Sequence, residues 1–399
     1  MTRHIGIGHF ETTDLMRDCI QRVLDTGRLS YGPFCQALER QFAEMHGCKY
    51  GVLSNSGTSS LQVAVQALKE LRGWKDGDEV IVPAVTFVAT ANVVLHNNLL
   101  PVLVDVDPDG YGMDPALLRD AWTPDTRAII PVHLFGQPCQ IDMIFEFARD
   151  TGLAVIEDSC ETMAVPCAGK SVGSWGDTSC FSFYMAHLLT AGVGGIATTN
   201  DPELAAKMRS LVNHGRDGIY MSIDDDDDVE GKELYEIVTR RFNFEAVGHS
   251  YRITELEAAL ALAQLDDLPK QIKTRQRNAR WLSDFLVGLE ELGLVRLPKV
   301  RSGAEHAFMM YPIVITADGV EDKWPLCNWL EENGIETREM MRLTDQPCYA
   351  GLWDPDDYPV AAEINRRGLY VGIHHGLTED DLVYIADKII GWFEREGLA

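Results

Sequence analysis

The feature that most constrains the fold of this chain is the alternation of short apolar runs, rich in Val and Ile, with segments of helical periodicity. The runs are apolar at nearly every position, which is typical of strands buried on both faces of a parallel sheet. Helical segments are predicted between them at 58–72, 87–98, 115–122 and 141–151. The pattern therefore predicts an α/β fold with a mostly parallel sheet flanked by helices. The apolar runs are Val80-Ile-Val-Pro83, Val102-Leu-Val-Asp105, Ile129-Ile-Pro-Val132, Ala154-Val-Ile-Glu157, Cys180-Phe-Ser-Phe-Tyr184 and Gly195-Ile-Ala-Thr-Thr199.

A smaller unit is predicted in the C-terminal part of the chain. After about residue 202 helical patterns dominate, and from about residue 300 strand-like and helical segments alternate over shorter lengths. We predict a large α/β domain, with an N-terminal helical segment, over residues 1–250. Residues 251–399 are predicted to form connecting helices and a small C-terminal α+β domain. The helical patterns lie at 202–213, 252–290, 323–333 and 378–396, and a polar stretch fills 216–250.

The charge balance excludes two classes of partner. The 399 residues include 61 Asp and Glu against 35 Lys and Arg, a formal net charge of −26. Such a chain lacks the clustered cationic surface that nucleic acids and anionic membranes require. No apolar run approaches the roughly 18–20 residues of a membrane span. The acidic run at 223–229 is predicted to be a solvated loop, with metal binding as the alternative.

The nine cysteines favour a reducing compartment. They are odd in number, widely scattered and form no CxxC pair, which argues against a disulfide framework, a zinc ribbon or a four-cysteine iron–sulfur site. The N-terminus shows no apolar segment of the secretory type. We therefore expect reduced thiols, a cytoplasmic location and no metal site.

Polar and aromatic side chains follow several predicted strands, where ligands bind in α/β folds. Asn55-Ser-Gly-Thr-Ser59 combines a glycine with hydroxyl groups at a predicted helix start, which suits phosphate binding or an ordinary N-cap. Glu157 and Asp158 end a strand, so a carboxylate there can hold a cationic nitrogen of a ligand or cap a helix. Phe87 can lie against a ligand ring or fill the core, and core packing is the commoner role.

The segment 180–195 is the most informative one. It places Ser182, Tyr184, His187 and Thr190 after a strand, and it ends in a glycine-rich turn. A histidine in such a place is either structural and hydrogen-bonded or chemically active.

Several motifs occur in a fixed order along the chain. They are Asn55-Ser-Gly-Thr, Asp78-Glu-Val-Ile-Val-Pro83, Thr86-Phe-Val-Ala-Thr-Ala-Asn92, Pro131-Val-His-Leu-Phe-Gly-Gln-Pro138, Glu157-Asp158, Phe181-Ser-Phe-Tyr184, Gly248-His-Ser-Tyr-Arg-Ile-Thr-Glu255 and Gly368-Leu-Tyr-Val-Gly372. In this order they resemble the DegT/StrS family of fold-type I pyridoxal-phosphate (PLP) enzymes, which are chiefly nucleotide-sugar aminotransferases. The resemblance runs from about residue 10 to 395 and implies the fold-type I architecture.

The resemblance also implies which residues bind the cofactor. Asp158 would pair with its pyridine nitrogen, Phe87 would stack on its ring, and Glu161 would belong to the same site. The residues implied to bind the cofactor phosphate are Gly57, Thr58, Ser182 and, from a neighbouring subunit, Ser250, which replaces the family's usual Asn.

The main departure from the family concerns a lysine. Family members usually carry the pattern S-F-Y-x-x-K, in which the lysine forms a Schiff base with PLP. Here Ser182-Phe-Tyr-Met-Ala-His187 places a histidine at that position, and no lysine occurs from 171 to 206. Imidazole cannot form this bond, but it can act as a general acid or base near neutral pH. Two further departures are Val193, in place of a Glu before the paired glycines, and Leu188, in place of the second histidine of colitose-type relatives.

A histidine at this position is similar to a subgroup of the family, the 3-dehydratases of 4-keto-6-deoxy sugar nucleotides, which include GDP-4-keto-6-deoxymannose 3-dehydratases. We therefore expect a PLP- or pyridoxamine-phosphate (PMP)-dependent 3-dehydratase acting on a nucleotide-linked 4-keto-6-deoxy sugar, with His187 as catalytic acid and base. The resemblance further implies a homodimer with shared active sites and glutamate as the amine donor. Two alternatives stay open. One is a lysine-free PLP enzyme that transaminates or epimerises an amino sugar or amino acid, and the other is a noncatalytic cofactor-binding protein.

Overall fold

The computed structural model describes residues 3–218 and 228–399. In this part of the chain the strands of the first 200 residues form a seven-stranded sheet and a short two-stranded ribbon. In chain order the strands are β1 (Tyr50–Ser54), β2 (Glu79–Pro83), β3 (Leu100–Val104), β4 (Thr126–Ile129), β5 (Ala154–Asp158), the ribbon strands β6 (Pro166–Cys167) and β7 (Lys170–Ser171), then β8 (Thr178–Ser182) and β9 (Gly195–Thr199). The order in the large sheet is β1-β9-β8-β5-β4-β2-β3.

All strands of the large sheet except β9 point the same way. β2 pairs in parallel with β3 and β4, β4 with β5, and β5 with β8. β9 is antiparallel to both β1 and β8, so β1 and β8 are parallel to each other. Every residue of β5, β8 and β9 is buried, as expected for strands covered on both faces. The predicted mostly parallel sheet is confirmed, and the carboxyl ends of its parallel strands share one edge.

Helices connect and flank the strands. Those of the N-terminal half are α1 (Asp14–Thr26), α2 (Pro33–Met45), α3 (Gly57–Arg72), α4 (Val88–His96), α5 (Leu118–Ala121), α6 (Ile141–Thr151) and α7 (Pro202–Val212). Those that follow are α8 (Gly231–Arg240), α9 (Glu255–Leu262), α10 (Leu268–Glu291), α11 (Trp324–Glu332), α12 (Pro359–Arg367) and α13 (Glu379–Arg395). In the described residues no helix is both long and apolar enough to cross a membrane.

A second sheet lies in the C-terminal part of the chain. Its strands are β10 (Val295–Arg296), β11 (Met310–Ile315), β12 (Thr337–Glu339) and β13 (Gly368–Gly372), in the order β10-β11-β13-β12. All its pairings are antiparallel. Together with α11 and α13 it forms the small C-terminal α+β unit that the sequence predicts. The boundary between residues 250 and 251 stays a prediction.

Three segments differ from the sequence-based expectation. The run predicted as a strand at 129–132 overlaps β4 (Thr126–Ile129) only at Ile129. The helical pattern at 252–290 is divided into α9 and α10, because Pro269 stands in the first turn of α10, a place that proline favours. The polar stretch at 216–250 contains α8, whose buried side chain is Ile237. The predicted acidic loop at 223–229 falls mainly on residues 219–227, which lie outside the described residues.

The buried carboxylate of Glu157 fixes the end of β5. Side chains alternate along a strand, and Glu157 therefore faces away from its neighbour Asp158. One oxygen of Glu157 accepts from the backbone N–H groups of Trp175 (2.8 Å) and Gly176 (3.0 Å). The other accepts from the Gly173 N–H at 2.9 Å and from His133 Nε2 at 3.2 Å. The carboxylate thus ties the loop before β8 to β5.

This arrangement makes a prediction for Glu157→Gln. Each carboxylate oxygen of Glu157 accepts from two donors. The NH2 group of the glutamine side chain would therefore face two N–H groups whichever way the amide is turned. We expect the free energy of unfolding to fall by about 2–4 kcal/mol, the range for buried groups that lose their partners. Urea denaturation measures this, with Glu146→Gln on the exposed side of α6 as the matched control. Equal stability of the two variants would contradict the role of Glu157.

Candidate active site

The predicted site residues follow strands that end at the same edge of the large sheet. Gly57 comes after β1, Phe87 after β2, Asp158 ends β5, and Ser182 ends β8. In parallel sheets this edge is where ligands bind.

The carboxylate of Asp158 is buried at this edge and held by two donors. The Thr90 hydroxyl donates to Oδ2 at 2.8 Å, and the Cys160 N–H donates to Oδ1 at 3.3 Å. Thr86 lies 2.9 Å from the Thr90 hydroxyl and completes a chain of hydroxyl groups. Burial raises the pKa of Asp158, although its hydrogen bonds oppose this rise. A carboxylate accepts up to about four hydrogen bonds, so Asp158 keeps capacity for a cationic nitrogen.

The start of α3 lies against the ends of β5 and β8 without room for a side chain. A Cβ atom at Gly57 would lie 2.6 Å from Cys160 Sγ and 2.7 Å from Ser182 Cβ. Ser56 caps the helix by accepting from the Ser59 N–H at 3.1 Å, and the first N–H groups of a helix have no partner inside it. Thr58, in the same turn, is exposed. Gly57, Thr58 and Ser182 are therefore next to one another, as a shared phosphate site requires.

Phe87 stands at the N-cap of α4 and is not part of the core. Its side chain is 61% exposed, and its carbonyl oxygen accepts from the Thr90 N–H at 3.2 Å. Since Thr90 also holds Asp158, one helical turn joins the two residues. This exposure is what stacking on a ligand ring would need, and the role stays a prediction.

His187 is held by its ring nitrogen Nδ1. This nitrogen lies 3.4 Å from the carbonyl oxygen of Ser182, and a carbonyl oxygen only accepts, so Nδ1 carries the proton. The lone pair of the neutral ring is then on Nε2, which has no hydrogen-bond partner among residues 3–218 and 228–399. Burial lowers the pKa of His187 to about 4. At neutral pH His187 is therefore an uncharged base with Nε2 free.

Glu161 lies in the same region with one oxygen engaged. Its Oε2 accepts from the Phe135 N–H at 2.7 Å. Burial raises the pKa of Glu161 to about 7, and the negative charge of Asp158 contributes to this rise. The carboxyl group can consequently hold or release a proton near neutral pH.

Ser250 is exposed, its hydroxyl accepts from Arg252 Nη2 at 3.1 Å, and its backbone bridges to Asn213. The next residue, Tyr251, accepts from the Asn55 N–H at 2.7 Å, just after β1. The predicted contact of Ser250 with the cofactor of a neighbouring subunit stays a prediction. Val193, where the family has a Glu, is 54% exposed.

Thr90 and Cys160 are functional candidates that the sequence reasoning missed. Both hold Asp158, and Cys160 also limits the space at Gly57. A signal was available for each. Cys160 follows Asp158 by two residues, the spacing at which an Asp side chain commonly accepts a backbone N–H, and Thr90 is one turn after Phe87.

The crowding at Gly57 makes a prediction for Gly57→Ala. The added methyl group must displace the Cys160 or Ser182 side chain, and such overpacking costs roughly 1–3 kcal/mol. We expect the affinity for PLP to fall about tenfold or more, as measured by a fluorescence titration. Gly288→Ala in α10 is the control, since no atom lies within 4 Å of that position. Unchanged PLP affinity in Gly57→Ala would contradict the role of Gly57 in binding the cofactor phosphate.

Known proteins resemble this chain over nearly its whole length. GDP-perosamine synthase from Caulobacter vibrioides is 37% identical over 381 residues, which cover 95% of this chain and 94% of that protein. The dTDP-4-dehydro-2,6-dideoxy-D-glucose 3-dehydratase from Saccharopolyspora spinosa is 32% identical over 380 residues, or 91% of this chain and 80% of that protein.

A solved structure confirms the fold. The GDP-4-keto-6-deoxy-D-mannose-3-dehydratase of E. coli, with bound hydrated PLP, superimposes with a TM-score of 0.87 at 25% identity and covers 98% of this chain and 100% of its own. The resemblance inferred from the motifs is thereby confirmed, including the fold-type I architecture. The DegT/DnrJ/EryC1/StrS aminotransferase family matches residues 12–390, and this chain therefore belongs to that family.

Proposed function

We propose that this chain is a nucleotide-sugar 3-dehydratase, which removes the C3 hydroxyl of a nucleotide-linked 4-keto-6-deoxy sugar with His187 as the proton carrier. The observation that carries the proposal is the free Nε2 of a neutral histidine at the position where the family has its Schiff-base lysine. The names of two relatives, both 3-dehydratases, support the same reaction.

As a member of its family the chain is a PLP- or PMP-dependent enzyme, and its residues fit that cofactor. Without a side chain at Gly57, the first turn of α3 lies directly against Cys160 and Ser182, so its unpaired backbone N–H groups can meet a phosphate at this edge. The buried carboxylate of Asp158 suits a protonated pyridine nitrogen, because an opposite charge would relieve the cost of its burial. The cofactor, when bound as PMP, would supply the two electrons that loss of the C3 oxygen needs, since its amine carbon would be oxidised to the aldehyde level and the hydroxyl would leave as water.

His187 and Glu161 supply the proton transfers that a dehydration needs. Nε2 of His187 accepts a proton at neutral pH, since its lone pair is free and Nδ1 stays protonated against Ser182. A departing hydroxyl leaves as water only if it receives a proton. The imidazolium of His187 is one donor, and the carboxyl group of Glu161, with a pKa of about 7, is a second.

The absence of a lysine limits how the cofactor is held. His187 and Asp158 have no lysine among their hydrogen-bond, ion-pair or ring partners in the described residues. We therefore propose that Asp158 and the phosphate site at Gly57, Thr58 and Ser182 hold the cofactor noncovalently.

Transamination is the second candidate, and the relatives favour it. The relative at 37% identity is a GDP-perosamine synthase, and perosamine is an amino sugar. On the names of the relatives alone, the alternative of a lysine-free transaminating enzyme has better support than dehydration. In that case Nε2 of His187 would move the proton that the lysine moves elsewhere in the family.

The same proposal includes a homodimer with shared active sites, and it includes glutamate as the amine donor. Phe87, Tyr184 and Val193 are each more than half exposed around the site, and Ser250 is exposed as well. A second subunit would cover Phe87, Tyr184 and Val193 and bring its own Ser250 to the phosphate. Light scattering should then find two chains per particle. All nine cysteines are free thiols, which supports a cytoplasmic location.

A product panel tests the reaction. Purified enzyme is incubated with PMP, with or without glutamate, and with 4-keto-6-deoxy sugars linked to GDP, dTDP, UDP or CDP. We expect at least one product that lacks the C3 oxygen, seen by mass spectrometry, and a rate about 100-fold lower in His187→Gln. An amino sugar that keeps this oxygen would favour transamination. No conversion of any sugar would support a noncatalytic cofactor-binding protein.

The His187→Lys variant tests the noncovalent holding of the cofactor. We expect borohydride to fix PLP covalently to this variant, because an amine then stands at the family's usual position. Wild-type protein and the control His187→Gln should keep their unmodified intact mass under the same treatment. Covalent capture by the wild-type chain would contradict the proposal, since it would reveal another reactive lysine.

A further inference from the structure

Three histidines from opposite ends of the chain meet close to the segment that carries His187. The ring of His9 stacks on His374 with centroids 5.1 Å apart, and it meets His375 edge-on at 5.2 Å. The preceding Gly8 touches the backbone of Ala186, next to His187. The Nδ1 atoms of His374 and His375 are buried without a hydrogen-bond partner in the described residues.

A buried cation lies beside this cluster. Arg275 in α10 is 1% exposed, and its Nη1 donates to the carbonyl oxygens of Phe308 (3.3 Å) and Met309 (3.0 Å). Its Nε has no partner, and no carboxylate pairs with it in residues 3–218 and 228–399. A buried charge without a counter-ion is costly, so an anion close to Arg275 would be stabilised.

A cavity of about 340 Å3 opens onto the histidines. Its size is in the range of small-molecule sites, and its lining offers several hydrogen-bond donors. Lys270 is exposed at this cavity and makes no ion pair among the described residues. The lining groups that can donate are His9, Lys270, Gln271 and His375.

We propose that this cavity binds a small oxyanion, a phosphate or a carboxylate, between Lys270 and the imidazoles of His9 and His375, with Arg275 behind them as a fixed positive charge. The three histidines are not placed as metal ligands, because the described residues hold no group of three or more side chains that could bind a metal ion. An oxyanion instead satisfies both the ammonium group and the imidazole donors. The cavity shares Leu188 and Thr190 with the segment that carries His187, and the proposal does not rest on the proposed reaction.

Other charges around the cluster set the pH dependence. The carboxylates of Glu11 and Asp267 also line the cavity, and Glu11 Oε2 lies 3.9 Å from His9 Nε2. Asp381, paired with Arg3, lies on the side of His374. Burial lowers the pKa of His375 to about 4, and the charges of Arg275 and His9 add to this. A bound anion favours the imidazolium form. Binding therefore takes up protons, and affinity rises as the pH falls.

Calorimetric titration of the full-length protein with inorganic phosphate tests the site. We expect binding that is about tenfold weaker in Lys270→Ala, the loss of one charge-assisted hydrogen bond, and unchanged in Lys273→Ala, an exposed lysine on the same helix outside the cavity. Affinity for sulfate, whose charge does not change in this range, should increase between pH 7 and pH 5.5, towards the pKa of His375 at about 4. His375→Gln should bind more weakly and lose most of this pH dependence.

Competition identifies the source of the oxyanion. Displacement of phosphate by GDP assigns the cavity to the phosphates of a nucleotide, and displacement by glutamate assigns it to a carboxylate. The proposal is overturned if phosphate does not bind, if Lys273→Ala weakens binding as much as Lys270→Ala, or if affinity is independent of pH. Because these titrations need neither cofactor nor turnover, their failure is distinct from failure of the proposed reaction.

Discussion

The close approach of the α3 N-terminus to the ends of β5 and β8 is the contact on which the site depends. At Gly57 the neighbouring atoms Cys160 Sγ and Ser182 Cβ leave no space for a side chain. This contact requires β1, β5 and β8 to end at one edge, which the parallel pairing of the sheet provides. The buried carboxylate of Glu157 in turn holds the loop before β8 in place. Fold and site are thus connected through a few contacts at the end of β5.

Histidine in place of lysine changes the chemistry that is available at this edge of the sheet. The elements around it belong to a family of aminotransferases, and the carboxylate of Asp158 stays buried and hydrogen-bonded. What the chain loses is a primary amine that can bond to the cofactor. Under the proposed function, His187 is the remaining proton carrier, and the Ser182 carbonyl oxygen sets its orientation. Proton transfer and covalent holding, which one lysine combines elsewhere in the family, would then be separated in this chain.

The sequence predicts the sheet and most of the site because both depend on local patterns. Continuous apolarity marks the buried strands, and the residues after them are the candidates at the sheet edge. Partners that are distant in sequence could not be predicted in this way. Three such contacts depend on tertiary packing. They are the hydrogen bond from Thr90 to Asp158, the three loop N–H groups that donate to Glu157, and the stacking of His9 on His374. The division between α9 and α10 was missed because the apolar period continues through Pro269.

The loss of a labelled proton from the cofactor tests the role of His187 most directly. PMP carrying deuterium on its methylene carbon is bound to the enzyme, mixed with a GDP-linked 4-keto-6-deoxy sugar and followed through one turnover by mass spectrometry. The account predicts that the wild-type enzyme releases one deuterium per turnover. The His187→Gln variant should bind PMP equally well but release deuterium about 100-fold more slowly. Equal rates of release in the two proteins would contradict the account.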